Sequence, residues 1–406
     1  MKRHRITPRP DWIGKVESVG FTYHSRGDTP GESEVYWDES VAYELTAAEV
    51  DTLEVATNEL HRLCLAAVDW IVAEPERMER FRIPPAFREY VARSWMRRDP
   101  HLYGRFDLAF DPDNPEIAEP KLLEYNADTP TALLESAVVQ WFWLEDAMPD
   151  DGGGTADQFN SIHERLIERW RTTIAPLMTR GSLLHLSSYT DVVEERQTVE
   201  YLADTAQQAG IAFRHVGIEE IGWDEAPAAA GGGGAFVDAD GEPIRYWFKL
   251  YPWEWMVQDA FAPHLLLDQV GILEPPWKML LSNKAILPVL WELFPDHPNL
   301  LPAGWDRDAL ALGGPGGGDT ISKPILAREG SNIELRRAGS APVATGGRYD
   351  DVPVVHQRAV TLPRLDGMSA VIGSWVIGDE AAGICIREDS SPIVTGDSRL
   401  VPHFFR

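Results

Sequence analysis

Hydrophobic residues recur at helical spacing in two long segments of this chain. Thr46 and Glu49 stand three residues apart, as in a capping box, and Val50 begins an apolar pattern that continues at helical spacing to Leu63. This pattern predicts a long amphipathic helix whose aliphatic stripe belongs to the core. Segment 283–294 has the same spacing and predicts a second amphipathic helix.

Alternating polar and apolar residues predict β-strands at both ends of the chain. Two aromatic-polar stretches near the start, 20–23 and 34–37, predict short strands. In the second half, the alternating segments typical of an antiparallel sheet are 321–326, 352–360, 369–377 and 383–386. The expected fold class is therefore α+β, with antiparallel sheets in the second half of the chain.

The middle of the chain has the order strand, helix, strand. An apolar strand at 183–186, a helix at 193–209 and a strand from Ile211 predict a small α/β lobe. Segments 226–234 and 312–318 are rich in small residues and predict flexible loops; the second lacks the Lys-Ser/Thr pair of a P-loop. The parts we expect are an N-terminal region at 1–150, the lobe at 151–275 and a C-terminal region at 276–406.

Composition limits the classes of function. The chain has 406 residues, 44% of them hydrophobic, which is enough for a sizeable core. Its 64 acidic and 37 basic residues give a formal net charge of −27, whereas a nucleic-acid-binding protein normally presents a basic stripe. We therefore expect no nucleic-acid partner. Any phosphate ligand must be held by local lysines and arginines.

Cysteine content and hydropathy indicate the cellular compartment in which the protein is expected. Cys64 and Cys385 are far apart in sequence, so no disulfide framework or Cys-x-x-Cys metal site is predicted. The start is basic but has no apolar segment typical of a secretory signal, and Asp69 interrupts the most apolar run, 63–73. These features predict a cytoplasmic protein without a membrane partner.

The residues best suited to phosphate chemistry lie in two neighbouring segments. Because alternate side chains of a strand share one face, Arg105 would lie beside Asp107, and Glu124 beside Asn126. Two adjacent strands would then present three oxygen donors to one Mg²⁺, which prefers hard oxygen ligands, with the arginine beside a phosphate. Acidic and amide residues near Asp-Pro turns are also typical of solvated loops, and this alternative stays open.

Further candidates lie in the second half of the chain. A lysine inside an apolar strand, such as Lys323, is costly unless it is paired with an anion. Lys284 opens a predicted helix, where an exposed lysine is equally common. Gly330 and Ser331 form a turn that is suited to binding phosphate through backbone N–H groups, and also typical of an ordinary hairpin. Arg387 fits either a structural ion pair or a phosphoryl clamp.

Taken in order, these segments resemble the synthetase region of the glutathionylspermidine synthase family, which are ATP-grasp-type ligases. The collinear segments that carry the resemblance are 56–61, 104–107, 124–128, 283–288, 323–325, 330–333, 362–367 and Arg387. The resemblance implies an ATP-grasp fold, with antiparallel sheets around a nucleotide cleft and a small pre-ATP-grasp α/β lobe. It also implies ATP and Mg²⁺ as cofactors and an amide ligase that joins a glutathione-like carboxylate to a polyamine-like amine through an acyl phosphate.

The resemblance also implies roles for individual residues. The implied Mg²⁺ ligands are Asp107, Glu124 and Asn126. The implied contacts to the transferred phosphoryl group are Arg105 and Arg387. The implied ATP-binding residues are Lys284, Lys323, Gly330, Ser331 and, on the adenine side, Gln357. The implied substrate-binding residues are Thr129 and Thr131, which replace serines that contact the thiol peptide, and Glu194 and Glu195, which match an acidic pair associated with the polyamine.

The chain departs from the bifunctional members of that family. Those members carry an N-terminal amidase with a cysteine nucleophile, whereas no cysteine precedes Cys64, which lies in a predicted helix. We therefore expect a synthetase-only member whose two substrates are open. Two alternatives remain: a nucleotide-binding sensor or scaffold without ligase activity, and a ligase that acts on a protein or cell-wall peptide. The oligomeric state is likewise open.

Overall fold

The computed structural model describes residues 1–27, 34–148, 156–225, 233–311 and 318–406. The predicted loops at 226–234 and 312–318 therefore lie almost entirely outside the described residues. Within these ranges the α-helices are α1 (Trp12–Ser18), α2 (Ala47–Val72), α3 (Pro85–Met96), α4 (Gln140–Ala147), α5 (Ile162–Arg169), α6 (Val193–Gln208), α7 (Trp253–Met256), α8 (Ala262–Leu265), α9 (Ile286–Leu293) and α10 (Arg307–Ala311).

The long predicted helix is α2, and it begins with the predicted capping box. The Thr46 side chain accepts a hydrogen bond from the Glu49 amide, and the Glu49 carboxylate accepts one from the Thr46 amide. Leu53 and Leu60 are fully buried in the core. Segment 283–294 is also helical, although its α-helix, α9, begins only at Ile286.

A six-stranded antiparallel sheet forms the centre of the fold. Its strands are β5 (Tyr103–Ala109), β6 (Lys121–Asn126), β18 (Arg364–Leu365), β19 (Met368–Ile377), β20 (Glu380–Asp389) and β21 (Arg399–Val401). The strand order is β21-β20-β19-β5-β6, with β18 added beside β19. Strands from both ends of the chain therefore pair within one sheet, and α2 packs on one of its faces, where the hydroxyls of Thr57 and Ser374 lie 2.7 Å apart.

A second antiparallel sheet lies opposite the central one, with a cleft between the two sheets. Its strands, in spatial order, are β13 (Ala303–Gly304), β17 (Val354–Arg358), β14 (Thr320–Pro324), β15 (Glu334–Arg336) and β16 (Val343–Ala344). The apolar alternation at 321–326, 352–360, 369–377 and 383–386 thus correctly predicted antiparallel strands in both sheets.

The predicted α/β lobe is a four-stranded parallel sheet. Its strands, in spatial order, are β12 (Gly271–Leu273), β11 (Tyr246–Lys249), β7 (Leu184–Ser188) and β8 (Phe213–Gly217). Helix α6 connects β7 to β8, which confirms the strand–helix–strand order. The remaining strands are β1 (Lys2–Arg5), β4 (Val41–Leu45) and β22 (His403–Phe405) in one sheet, β2 (Ser25–Arg26) with β3 (Glu34–Val35), and β9 (Gly222–Asp224) with β10 (Ala235–Val237).

The predicted strand at 20–23 was wrong. Gly20 has a φ of 89°, and the Phe21 amide donates to the carbonyl of Val16 at 3.0 Å, so these residues form the exit from α1. Phe21 is buried by this turn rather than by strand pairing. Among the described residues, no helix combines the length and apolar character needed to cross a bilayer.

Candidate active site

The predicted cluster of oxygen donors lies on one face of the central sheet. In the antiparallel pair β5–β6, Asp107 is opposite Glu124 and Arg105 is opposite Asn126. The intervening Phe106 points to the other face, into the core, where its ring stacks on Tyr125 with centroids 3.8 Å apart. The period of two along each strand therefore separates a polar face from an apolar one, as the sequence predicted.

Strands β19 and β20 complete this polar face. Gly373, on β19, lies opposite Asp107 of β5 on one side and opposite Cys385 of β20 on the other. A Cβ atom at Gly373 would come within 2.6 Å of the Cys385 sulfur and 2.9 Å of Arg105 Cδ. The absence of a side chain here therefore lets Arg105 lie flat across the sheet. Arg387, two residues beyond Cys385, emerges on the same face.

Asp107 holds the two arginines of the site. Arg105 Nε donates to Asp107 Oδ1 at 3.1 Å, and Arg387 donates to the other carboxylate oxygen. The Arg387 Nε atom is buried and has no hydrogen-bond acceptor in the part of the chain that the structure describes. A buried guanidinium N–H without an acceptor is costly, and it is suited to an anionic ligand in the cleft.

Two lysines lie beside Glu124. Lys284 Nζ donates to Glu124 Oε2 at 3.0 Å and to the carbonyl of Ala327 at 2.6 Å. Lys323 Nζ donates to Gln357 Oε1 at 3.0 Å. Burial alone would raise the pKa of the Glu124 carboxyl, but the charges of both lysines lower it below its usual range. Burial in turn lowers the pKa of Lys323 to about 8.

The Gly330–Ser331 turn covers one side of the cleft. Gly330 has a φ of 69°, and a Cβ atom there would lie 2.8 Å from the carbonyl oxygen of Val394. In this conformation the Ser331 amide donates to the Arg328 carbonyl at 2.9 Å. Both the left-handed conformation and the close contact favour glycine at position 330.

One cavity of about 650 Å³ brings the predicted residues together. Those that line it are Arg105, Asp107, Glu124, Asn126, Thr129, Thr131, Glu194, Glu195, Lys323, Gly330, Ser331, Gln357 and Arg387. Lys284 does not line the cavity itself but reaches its wall through Glu124. A volume of this size suits a nucleotide or a similar ligand.

The two glutamates of α6 make one end of the cavity acidic. Burial raises the pKa of Glu195 to about 7 and also raises the pKa of Glu194, where a hydrogen bond with Thr131 opposes the shift. The Thr131 carbonyl accepts a hydrogen bond from Arg105 Nη1 at 2.7 Å. Arg105 thus links the acidic end of the cavity to the arginine–carboxylate cluster.

The prediction did not include several charged residues that also line the cavity. Arg328 donates to the Thr129 hydroxyl and, at 3.3 Å, to Glu254 Oε1. Its place directly before the Gly330–Ser331 turn was the sequence signal that could have identified it. Arg348 lies with its guanidinium 5.1 Å from the centre of the Trp255 ring, and nothing in its local sequence distinguished it.

Asp128, at the end of β6, positions this part of the cavity. Its carboxylate accepts hydrogen bonds from Lys249 Nζ at 2.7 Å and from the Trp253 amide at 2.9 Å, and both charged side chains are fully buried. The pair therefore ties the Thr129–Thr131 segment to the α/β lobe. Neither residue touches the cavity, so we assign the pair a positioning role.

We expect Asp128→Ala to lower the free energy of unfolding by about 3–5 kcal/mol, because the buried Lys249 ammonium would lose its countercharge. Chemical denaturation of the purified variant measures this loss. Asp113→Ala, in an exposed turn, is the matched control and should stay within about 0.5 kcal/mol of wild type. Equal stability of the two variants would contradict the assignment.

Comparison with known proteins gives a consistent picture. A family model described as "Glutathionylspermidine synthase preATP-grasp" matches residues 3–406. A Haemophilus influenzae protein named "Putative acid--amine ligase" is 39% identical over 418 aligned residues, which cover 100% of both chains. Trypanothione synthetase of Crithidia fasciculata is 30% identical over 363 residues, which cover 83% of this chain and 52% of that protein. The chain thus spans about half the length of that second relative.

A solved structure shares the fold. The glutathione synthetase-like effector from Globodera pallida aligns with a TM-score of 0.59 and 9% identity, covering 98% of this chain and 96% of that one. At this identity the likeness concerns the fold alone. Together with the antiparallel sheets and the α/β lobe, it confirms the predicted ATP-grasp-type fold class.

Proposed function

This chain belongs to the glutathionylspermidine synthase family, and from that premise we propose that it is an ATP- and Mg²⁺-dependent amide ligase. Its substrates would be a peptide-like carboxylate and a polyamine-like amine, joined through an acyl phosphate. The observation that carries the proposal is the network in which Asp107 and Glu124 hold two arginines and a lysine at one cavity. A triphosphate with a divalent cation matches this arrangement in both charge and size.

The oxygen donors fit Mg²⁺. Asp107, Glu124 and Asn126 supply hard oxygen atoms from adjacent strands, which is the donor type that Mg²⁺ prefers. When bound, Mg²⁺ would neutralise phosphate charge and orient the triphosphate. The carboxylates that now pair with Arg387 and Lys284 would be available to the metal once these cations turned to phosphate oxygens. Each carboxylate would thus exchange a cationic side chain for the metal ion as its partner.

In the first step the peptide carboxylate would attack the terminal phosphorus of ATP. The bond from that phosphorus to the bridging oxygen breaks, ADP leaves, and an acyl phosphate forms. Negative charge spreads over the phosphoryl oxygens in the transition state, and Arg105 and Arg387, which line the cavity, would stabilise it. Lys284 and Lys323 would bind the remaining phosphates, with Gln357 on the adenine side and Gly330–Ser331 closing over them.

In the second step the amine nitrogen would attack the acyl carbon. A C–N bond forms, the C–O bond to phosphate breaks, and inorganic phosphate leaves. Glu194 and Glu195 would hold the substrate through a protonated amino group, whereas the nitrogen that attacks is a neutral amine. Glu195, with its pKa raised to about 7 by burial, is suited to accept the one proton that this nitrogen loses as the amide forms. Thr129 and Thr131 would contact the peptide substrate on the same side of the cavity.

The raised pKa of Glu195 predicts a pH dependence. Below pH 7 the carboxyl would be largely protonated and would bind a cationic amine weakly; above it, the carboxylate predominates. Between pH 6 and pH 8 the ionised fraction rises about tenfold, so we expect the KM for the amine to fall about tenfold at saturating ATP. In Glu195→Gln, which keeps Glu194, the KM should be higher and should change much less over this range. A wild-type KM that does not change with pH would refute this role.

ADP release across pairs of amines and peptide carboxylates, in the presence of Mg²⁺, tests the proposed activity. We expect sustained ADP release over many turnovers only when both substrates are present, with formation of the amide followed by mass spectrometry. ADP binding without turnover for any pair would instead favour the nucleotide sensor. Including protein and cell-wall peptides among the carboxylates tests the broader ligase alternative in the same experiment.

A further inference from the structure

A second group of metal-ligand side chains lies outside the cavity. His61 projects from the middle of α2, His101 stands just before β5, and Asp379 occupies the turn between β19 and β20. The Nε2 atoms of the two histidines lie 3.4 Å and 3.1 Å from Asp379 Oδ1. All three potential ligand atoms lie within 4.8 Å of one another.

These distances suit a tetrahedral ion. When bonds to nitrogen and oxygen are about 2.0–2.1 Å long, neighbouring ligand atoms of a zinc tetrahedron lie about 3.3 Å apart. The two Nε2–Oδ1 separations lie on either side of that value. The imidazole rings lie 5.6 Å apart at an interplanar angle of 28°, and both Nε2 atoms approach the same oxygen of Asp379. Two imidazoles and one carboxylate are a donor set for Zn²⁺ or Co²⁺ rather than for Mg²⁺.

The surroundings leave the ligand atoms accessible to an ion. His61 Nδ1 has the Tyr125 hydroxyl 3.3 Å away, which would fix the ring as outer partners of metal-bound histidines do. Both rings are buried. The Asp379 side chain is 58% exposed, which opens the site to solvent.

Neighbouring cations do not block the site. Arg169 Nη1 lies 3.8 Å from Asp379 Oδ2, the oxygen that faces away from the histidines in this pairing. The ammonium of Lys278 is compensated by Glu274, whose Oε2 atom lies 2.7 Å from Nζ. A dication bound by this one carboxylate would leave a single net positive charge on the cluster, partly solvated through the exposed aspartate.

We propose that His61, His101 and Asp379 bind one divalent ion of the zinc type, with water completing its coordination. The ion would tie the β19–β20 turn to α2 and to the start of β5. Arg105 and Asp107 lie on β5, and Arg387 lies on β20. The bound ion would therefore hold together the strands that carry the arginine–carboxylate cluster. Its role would be structural. The same three residues without a metal would form only a hydrogen-bonded cluster, and the experiment distinguishes these two cases.

Titration of Co²⁺ into the metal-free, untagged full-length protein tests the site, because four-coordinate Co²⁺ absorbs strongly in the visible range. We expect one equivalent to bind and to be displaced by Zn²⁺ but not by millimolar Mg²⁺. Asp379→Asn keeps an acceptor for both histidines, so it should fold while its metal affinity falls more than about 100-fold. His297→Gln, which alters a contact between His297 and Glu59 elsewhere in the chain, is the matched control and should bind as wild type does.

Thermal unfolding gives an independent measurement. Zn²⁺ should raise the melting temperature of the wild type and of His297→Gln but not that of Asp379→Asn, because an ion that binds only the folded state stabilises it. Binding of Co²⁺ with equal affinity by Asp379→Asn and wild type would overturn the proposal. So would a wild-type protein that binds no Co²⁺ and unfolds at the same temperature with and without Zn²⁺.

Discussion

Arg387→Ala should lower turnover by about 10²- to 10³-fold while changing the dissociation constant of the nucleotide by no more than about threefold. The structure gives the reason for this difference. Arg387 shares Asp107 with Arg105, so the carboxylate keeps one partner when the arginine is removed. The lysines proposed to bind the nucleotide are also left in place. What is lost is a guanidinium with an unused N–H at the point where phosphoryl charge would develop.

Steady-state kinetics and nucleotide titration of the same preparation measure the two effects. Arg387→Lys keeps the charge but lacks the planar guanidinium with its paired N–H donors. It should therefore recover only part of the turnover that Arg387→Ala loses. Arg337→Ala is the matched control, because this arginine pairs with Asp319 and Thr361 outside the cavity. A variant Arg387→Ala with normal turnover, or one that loses nucleotide affinity as strongly as turnover, would exclude the proposed role.

Strand periodicity made one half of the site predictable. Arg105 and Asp107 alternate with Phe106, and Glu124 and Asn126 flank Tyr125, so the residue types alone indicate which face is polar. The lysine inside an apolar strand was likewise visible as a costly residue in need of an anion. Local sequence therefore specified which side chains emerge on the cleft side of each strand.

The pairing between distant segments was not predictable from local pattern. Asp107 and Arg387 are 280 residues apart, and only the β5–β19–β20 arrangement brings them together. The segments that contain Asp107 and Arg387 occur in the same order as in the family. This resemblance, and not the spacing of the two residues, supported a common site. Asp128 illustrates the same limit, since its buried partner Lys249 lies on the parallel sheet of the α/β lobe.

The wrong prediction of a strand at 20–23 has a different cause. Aromatic-polar alternation is typical of strands, but it also arises where a helix exit buries one aromatic residue. Gly20 supplies the left-handed conformation that ends α1, and the backbone bonds of Phe21 go to the helix. A glycine two residues after the helix therefore outweighed the short alternating pattern.

Glu124→Gln should weaken the binding of Mg²⁺ but strengthen the binding of ATP in the absence of metal. The variant loses a carboxylate ligand, so we expect turnover to fall about 10³-fold and half-saturation to require at least about tenfold more Mg²⁺. In the metal-free wild type, however, Glu124 is paired with Lys284 and lowers the positive potential at Lys323. Its neutralisation should therefore strengthen the binding of ATP in the presence of a chelator.

Calorimetric titration of ATP with EDTA, together with initial rates over a range of Mg²⁺ concentrations, measures both effects. Glu292→Gln, at an exposed position of α9, removes one acidic charge outside the cavity and serves as the charge-matched control. This control should change neither quantity. Weaker metal-free binding of ATP by Glu124→Gln would show that the two lysines do not meet the phosphates, and an unchanged Mg²⁺ requirement would remove Glu124 from the metal site. Either result would contradict the exchange of partners on which the proposed first step depends.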